Sequence, residues 1–503
     1  MAQHIRHSKP SGPIASFVTL LLASGVLTGC AVGPDYEKPF AAVPSTWSSA
    51  GKQNPAQQPQ LAQWWRRLND PLLNDLIEEA VAGNLDVAAA KAKIREARAS
   101  YKQAGGALLP SVSGSGTGAR VRTGATNGSD ANTNSQFQSG LDASWELDLF
   151  GANRRSVEAA RYGVKAADQE LRSTLLTLVG DVAANYVELR GYQAQLALAR
   201  RTASSQRETA ALTNNKFKAG ASSAVDVANA SGQAASTEAD IPQLEAERAA
   251  AVHRLSILLG RAPGDLAARL DRPAPIPRPG WPVAVGVPAN ILLSRPDVRV
   301  AEWDYAQSTA RIGQAEAARY PSISLTGDIY TSGTRLGDLG KSSTISWSFG
   351  PSLTIPIFNG GQLKAAVEVA QAERDQYFIA YRSAVLTALE DVENAIVSLS
   401  QERIRAAKLA QSAKHYRDAA SLAQSLYRTG TQSFLDLLEA QRSLYTAEEA
   451  LIQSQVSIAT DYIALNKALG GGWSGEVDSS QPVIVDTNMG PHALPPAARY
   501  QPL

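Results

Sequence analysis

The stretch QLKAAVEVAQAERDQYFIAYRSAVLTALEDVENAIVSLSQERIRAAKLAQSAKHYRDAASLAQSLYRTG, residues 362–430, decides the fold. Before its closing Gly430 it holds no Gly and no Pro, and residues 431–469 are again free of both. Helix breakers are this scarce where a helix must run uninterrupted. At 1.5 Å per residue the first arm is roughly 100 Å long, about three times the hydrocarbon thickness of a bilayer. Charge recurs throughout (Glu373, Arg374, Asp375, Glu390, Asp391, Glu393), so neither arm is a membrane span. Apolar residues return at helical spacing: Leu386, Leu389, Val392 or Ile396, and Leu399. The pattern predicts a long antiparallel helical hairpin that turns at Gly430.

The same hairpin occurs earlier in the chain. An offset of 210 carries Asp181-Val182 onto Asp391-Val392, Gly220 onto Gly430, Asp226 onto Asp436, and Leu259-Gly260 onto Leu469-Gly470. An offset of 211 carries Asp86-Val87 onto Asp297-Val298 and Pro110 onto Pro321. A period this long is not that of a solenoid. It marks a duplicated half-chain: helix, β-hairpin, helical hairpin. The first repeat looks less regular, because Gly163, Gly180, Gly191 and Gly232 fall in its helices and Pro242 is expected to kink or break the returning arm.

Between the helices the period changes. Over residues 136–149, Phe137, Leu141, Ala143, Trp145, Leu147 and Leu149 alternate with Gln136, Gln138, Asp142, Ser144, Glu146 and Asp148. In the second repeat Ile345, Trp347, Phe349, Leu353, Ile355 and Ile357 alternate with Thr344, Ser346, Ser348, Ser352 and Thr354. Period two means strands with two unlike faces. Each has an upstream partner, after Pro110 and after Pro321, across a polar, Gly-rich loop. Strands of about ten to thirteen residues, tilted, cross a bilayer. A soluble sheet with one buried face is the plainer alternative, but the long helices are polar over much of their surface and would not cover it. Four strands cannot close a barrel, and open edges are not tolerated in lipid, so several chains must pool their strands. At least two copies are needed, and three would supply twelve strands.

Composition bounds the rest. There are 48 Lys+Arg against 47 Asp+Glu, so no basic excess points to nucleic acid. Cys30 is the single cysteine, which excludes an internal disulfide. Arg6, His7 and Lys9 precede an apolar run from Ile14 to Leu27, and Leu27-Thr28-Gly29-Cys30 resembles a bacterial lipobox. The expectation is a lipoprotein signal over residues 1–29, lipidation of Cys30, and outer-membrane sorting, since Ala31 stands where a retention signal prefers Asp. The further division is an extended arm over 30–70, a first repeat over 71–260, and a Pro-rich link over 261–288. A second repeat follows over 289–470, then a flexible tail over 471–503. The mature part has three histidines (His253, His415, His492), one methionine (Met489) and no free thiol once Cys30 is acylated. No nucleophile elbow, phosphate loop or metal-ligand spacing appears. An enzyme is therefore not expected, nor any cofactor or metal.

Several motifs together resemble the start and the joints of TolC-like outer-membrane efflux proteins. They are Cys30-Ala-Val-Gly-Pro-Asp-Tyr36, Trp64-Trp65, Asp70-Pro71-Leu72-Leu73-Asn74 and Asn84-Leu85-Asp86. Others are Phe358-Asn359-Gly360-Gly361, Tyr427-Arg428-Thr429-Gly430 and Leu437-Leu438-Glu439-Ala440-Gln441-Arg442. The most specific is GVPANILLSRPDVRVAE at 286–302. The resemblance covers about residues 30–473 and is closest to the OprM/NodT-type lipoprotein branch. It implies an α+β membrane protein. Two β-hairpins per chain would give four strands to a trimeric twelve-stranded β-barrel, and the long helical hairpins would form a periplasmic α-barrel. It also implies an exit duct for drugs or other small toxic compounds in the outer membrane of a Gram-negative bacterium. Lys218, Gly220, Arg428 and Gly430, at the hairpin tips, would meet a periplasmic adaptor (membrane fusion protein) fed by an inner-membrane pump of RND type. Both glycines serve equally as plain helix caps.

A duct needs a closed end. Leu435, Glu439 and Arg442 share one helical face just past the second tip, and the family places an apolar, an acidic and an Arg residue at the matching positions of its constriction. Asp436 is an adjacent candidate. The first repeat offers Val225, Asn229 and Gly232 there, which supply no charge, so the second hairpin is expected to carry the gate. A solvated Glu439–Arg442 pair is the plainer reading. A protein-secretion duct shares the fold. A periplasmic coiled-coil lipoprotein would explain the helices and Cys30 but not the strands, and a passive porin would not need helices of this length. In mild detergent the chain should run as a particle of several copies around a pore; a stable, poreless monomer would undo this reading.

Overall fold

A computed structural model describes residues 31–40, 43–49, 61–124, 131–280 and 292–481. Cys30 and the signal segment lie outside these residues, as do parts of the arm, the Pro-rich link and the tail. A 3-10 turn, Trp64–Leu68, leads into α1 (Pro71–Gly83). The start of α1 is dictated locally. Asp70 accepts the N–H groups of Leu72 and Leu73 at 3.0 and 3.3 Å, and Pro71 takes the first position, where an N–H would find no partner. There follow α2 (Leu85–Gly106), β1 (Ser111–Thr123), β2 (Asn132–Leu147), α3 (Ala152–Lys218) and α4 (Ala224–Leu258). After a single turn at Ala267–Leu270 the order repeats: α5 (Pro296–Ala317), β3 (Ser322–Gly333), β4 (Ile345–Thr354), α6 (Gln362–Thr429) and α7 (Phe434–Ala468).

The duplication is visible in the lengths, with 67 and 68 residues in α3 and α6 and 35 in each of α4 and α7. The first repeat is more regular than its sequence suggested. Helix α4 is continuous across Pro242 and Gly232, and α3 across Gly163, Gly180 and Gly191. One proline removes one hydrogen bond and crowds one carbonyl, at a cost of about 3 kcal/mol, which a helix held along its length can absorb. Two of the glycines are contact points. A Cβ on Gly191 would lie 2.5 Å from Val456 Cγ2, and one on Gly163 would lie 2.9 Å from Gln307 Nε2.

The chain forms two compact units, and neither is one of the sequence repeats: each takes segments from both. The first holds residues of 1–39, 96–166 and 301–380. Its four strands lie in the order β1-β2-β3-β4, every neighbour antiparallel. The register puts Leu141 opposite Gly114 and Ile329, and Trp347 opposite Ile329, so the apolar residues share one face. Leu141, Trp145, Trp347, Phe349 and Leu353 are exposed on it. The other face carries Ser113, Asp142, Asp328 and Ser348 in one row, with the two aspartates directly opposite each other. At the base of the sheet the rings of Phe150 and Tyr320 stack at 4.6 Å. The chain after residue 30 is strapped there. Val32 donates to the Phe150 carbonyl at 3.1 Å, and Arg155 reaches the carbonyls of Val32 and Gly33 and the carboxylates of Asp35 and Glu158.

The second unit holds residues of 40–95, 167–300 and 381–503 and is helical among its described residues. Trp64 and Trp65 are buried, the first edge-on to Tyr462 and the second stacked on Trp473. Tyr186 donates to Asp70 at 2.7 Å and accepts from Arg190 at 2.8 Å. The tail is not loose over residues 471–481. Trp64 Nε1 donates to the Gly471 carbonyl at 3.0 Å, Trp473 is held by its stack, and Arg95 donates to the Gln481 carbonyl at 2.9 Å. Glycines there permit close approach, and the indoles hold the segment down.

Gly191→Ala tests the close-packing account. Overpacking against Val456 should lower the melting temperature in detergent, at a cost of about 1–3 kcal/mol. Adding Val456→Ala should restore part of the loss; two purely additive losses would show that the glycine is not a contact point.

Candidate functional site

Both helical hairpins reverse at a glycine in the left-handed region, Gly220 with φ 75° and Gly430 with φ 82°. The closing bonds repeat. Ala221 donates to the Lys216 carbonyl at 2.7 Å and Thr431 to the Leu426 carbonyl at 3.0 Å. Side chains with a Cβ rarely adopt this conformation, so glycine suits both turns. The returning helices start alike. Ser223 Oγ accepts the Asp226 N–H at 3.1 Å while Asp226 accepts the Ser223 N–H at 3.0 Å, a complete capping box. In the second repeat Ser433 Oγ accepts the Asp436 N–H at 3.3 Å and donates to the Asp436 carboxylate at 2.8 Å. This cap sets the start of α7 at Phe434. It also engages the carboxylate of Asp436 in the cap.

The two tips pack against one another through residues of the second. Tyr427 is only 4% exposed, lies edge-on to Phe434 at 5.9 Å, and joins Ala230, Ala423, Leu437 and Leu438 in a small core. Its hydroxyl donates to Thr213 Oγ1 at 2.9 Å. The Lys216 ammonium sits 4.4 Å from the Tyr427 ring centroid and donates to the Tyr427 carbonyl. At the 210 offset, Tyr427 corresponds to Phe217 and Phe434 to Ala224, and Phe217 is exposed. The tip core is therefore one-sided. Lys218, Gly220, Arg428 and Gly430 are all exposed around it.

Leu435, Glu439 and Arg442 fall on one exposed face of α7, with Leu435 61% accessible. Glu439 accepts from Ser443 at 3.5 Å. Arg442 does not pair with Glu439: its Nε donates to Gln233 Oε1 on α4 at 2.6 Å, toward the returning helix of the other hairpin and not along its own helix. Further along, Tyr445 donates to Asp240 at 3.1 Å, and burial and the Asp240 charge both push the Tyr445 hydroxyl upward in pKa. The ties Gln233–Arg442 and Asp240–Tyr445 join α4 to α7, and sequence reasoning did not find them. Their one trace in the sequence is the periodicity, which puts residues 442 and 445 next to the 435–439 stripe.

Comparison with known proteins agrees with this architecture. The profile of the family described as Outer membrane efflux protein matches residues 76–261 and 287–471. The chain is similar to Nodulation protein T of Rhizobium leguminosarum bv. trifolii, 36% identical over 450 residues, covering 89% of this chain and 96% of that one. It is similar to the probable efflux pump outer membrane protein TtgC of Pseudomonas putida, 33% identical over 491 residues, 94% and 99% of the two chains. Among solved structures, the outer-membrane channel OprN superposes with a TM-score of 0.82 at 33% identity, over 88% of this chain and all of that one. The chain belongs to the outer membrane efflux protein family. It is an efflux channel of the outer membrane that extends into the periplasm.

The Asp226 carboxyl is held below the usual range, chiefly by the Ser223 N–H. Its support for the tip is therefore full above the ordinary Asp range of about 4 and is lost as pH falls through the lower folded value. Amide exchange over residues 221–227 should accelerate on acidification beyond the intrinsic pH effect, and Asp226→Asn should remove that dependence. Equal profiles for the two proteins would refute the role of the box.

Proposed function

We propose that three copies of the chain form the exit duct of a tripartite efflux assembly, with Cys30 lipidated in the outer membrane. The observation that carries this is the sheet. It has one apolar and one polar face and free edges at β1 and β4, in a family of outer-membrane channels. Three sheets of four strands close a barrel of a size known for such channels. The apolar face meets lipid, and the row of Ser113, Asp142, Asp328 and Ser348 lines water. Helices roughly 100 Å long reach across the periplasm as a tunnel of twelve staves. The exposed tips, Lys218 and Gly220 with Arg428 and Gly430, receive a periplasmic adaptor, and behind it an inner-membrane pump of RND type selects small toxic compounds.

The gate lies on α7. Leu435 and Glu439 narrow the bore, and Arg442 holds α7 to α4 through Gln233 in the closed form. Asp436 contributes by starting the helix that carries them. The asymmetry between the repeats supports this, since Gly232, the counterpart of Arg442, has no side chain with which to make such a tie.

Leu435→Ser, Glu439→Ala and Arg442→Ala should each raise ion conductance of the purified channel in planar bilayers several-fold, without loss of assembly. Conductance unchanged in all three would remove the gate from this face.

A further inference from the structure

The apolar face of the sheet does not stay apolar to its end. Its lowest row, at the base, is Leu147–Ile323–Leu353, and the rows above remain largely apolar up to Phe137 beside Gly118. Two more rows follow on the β1–β2 ladder of that same face, Arg120 opposite Ser135 and Arg122 opposite Thr133. Both arginines are exposed. Neither makes an ion pair or a hydrogen bond among the described residues, and the hydroxyls of Ser135 and Thr133 have no partner there either. Lys341, in the β3–β4 connection, differs in this respect, since Asp338 takes its ammonium at 2.6 Å.

Height on the sheet says what these rows face. At about 3.3 Å per residue and a tilt near 40°, β2 climbs about 25 Å between Leu147 and Phe137, which is the height of the apolar band of a membrane barrel. The arginine rows stand about 5 and 10 Å higher, at the level of lipid head groups. The base, where β2 runs on toward α3, is the periplasmic end, so the arginines mark the outer rim. They point to the lipid side and not to the bore, because they share a face with Phe137 and Leu141 and not with Asp142 and Asp328. An arginine costs little at this depth, about 0–1 kcal/mol, against about 2–4 at the midplane. Tolerance alone gives no reason for two of them side by side without a carboxylate.

We propose that Arg120, Arg122, Ser135 and Thr133 bind the phosphorylated sugar head of a glycolipid in the outer leaflet, whose acyl chains lie along Phe137 and Leu141 below. This rests on the exit-duct reading, which places the sheet in the outer membrane. Charge complementarity is the first ground. A guanidinium fork matches two oxygens of a phosphate, and arginines two apart on one strand face stand about 6.6 Å from each other, close enough for both forks to reach one phosphate. The hydroxyls are the second ground. Ser135 and Thr133 sit directly opposite the arginines, where the hydroxyl groups of a sugar can donate to them and accept from them. A phospholipid head would engage the arginines and leave these hydroxyls idle. The third ground is the apolar surface immediately beneath, since Leu141 is exposed and Phe137 lies over Gly118, with its ring 3.2 Å from the Cβ position there. Charge, hydroxyl and hydrocarbon thus follow one another in the order in which a glycolipid presents them.

Titration of the purified full-length channel in mild detergent with bisphosphorylated lipid A tests this. Arg120→Gln and Arg122→Gln should each weaken binding about tenfold or more, and the double variant should abolish it. Ser135→Ala with Thr133→Ala should weaken it several-fold, and Lys341→Gln should leave it unchanged. The same lipid stripped of its phosphates should not bind, phosphatidylglycerol should bind at least tenfold more weakly, and millimolar inorganic phosphate should not compete. Equal affinity of the wild type and the double arginine variant overturns the site, as does equal binding of the dephosphorylated lipid. Equal binding of phosphatidylglycerol overturns the glycolipid, and displacement by inorganic phosphate overturns the lipid. Native mass and bilayer conductance report separately on the duct reading, and both should be unchanged in the double variant. A monomeric, non-conducting wild type would overturn that reading, and the placement of this site with it.

Discussion

Backbone amides have no water to bond in hydrocarbon, and this constraint governs the sheet and through it the whole chain. Each of β1 and β4 presents a row of N–H and C=O groups along an unpaired edge. A soluble protein could blunt such edges with charge or a bulge, but lipid demands a ladder. The same surroundings explain why the apolar residues of β4 lie open: Trp347, Phe349 and Leu353 are exposed on the apolar face of the sheet.

The helices answer a different problem, which is to run unbroken over 67 and 68 residues with little apolar mass. Much of the burial along them comes from alanine and other small residues, with larger groups at fixed points such as Tyr186, Tyr427 and Tyr462. Small side chains let backbones approach closely, as at Gly191 beside Val456. Such an interface carries little hydrophobic energy per residue. Polar ties then decide register, and they recur at the joints: Arg295 to Asp297 and Asp391, Lys467 to Asp181, Arg442 to Gln233. Ties of this kind exchange partners at small cost when the helices shift, which suits a conduit that must open and close.

Much of this was legible before any coordinates. The breaker-free run gave α6 both its ends, because an absence of Gly and Pro over so many residues has one physical meaning. Alternation gave the strands, and Asp70-Pro71 gave the start of α1. Legibility failed where packing outweighed local preference. Pro242 looks like a break, yet α4 runs through it, and glycines that read as irregularity are contact points. The caps at Ser223 and Ser433 were readable from Ser and Asp three apart. The ties to α4 were not legible, since Gln233 and Arg442 lie 209 residues apart and no local pattern signals their meeting. Trp473 is a similar case: its glycine-rich neighbours suggest freedom, and its stack on Trp65 removes it.

The two β-hairpins of the sheet keep one register, Ser111–Ser144 in the first answering to Ser322–Thr354 in the second, and this has an evolutionary corollary. Each repeat alone carries two strands and one helical hairpin, and the two join in the sheet through the β2–β3 ladder. Fusion of two such repeats into one gene released every second position around the ring from having to match its twin. Tyr427 against Phe217 and Arg442 against Gly232 are positions where the two repeats now differ.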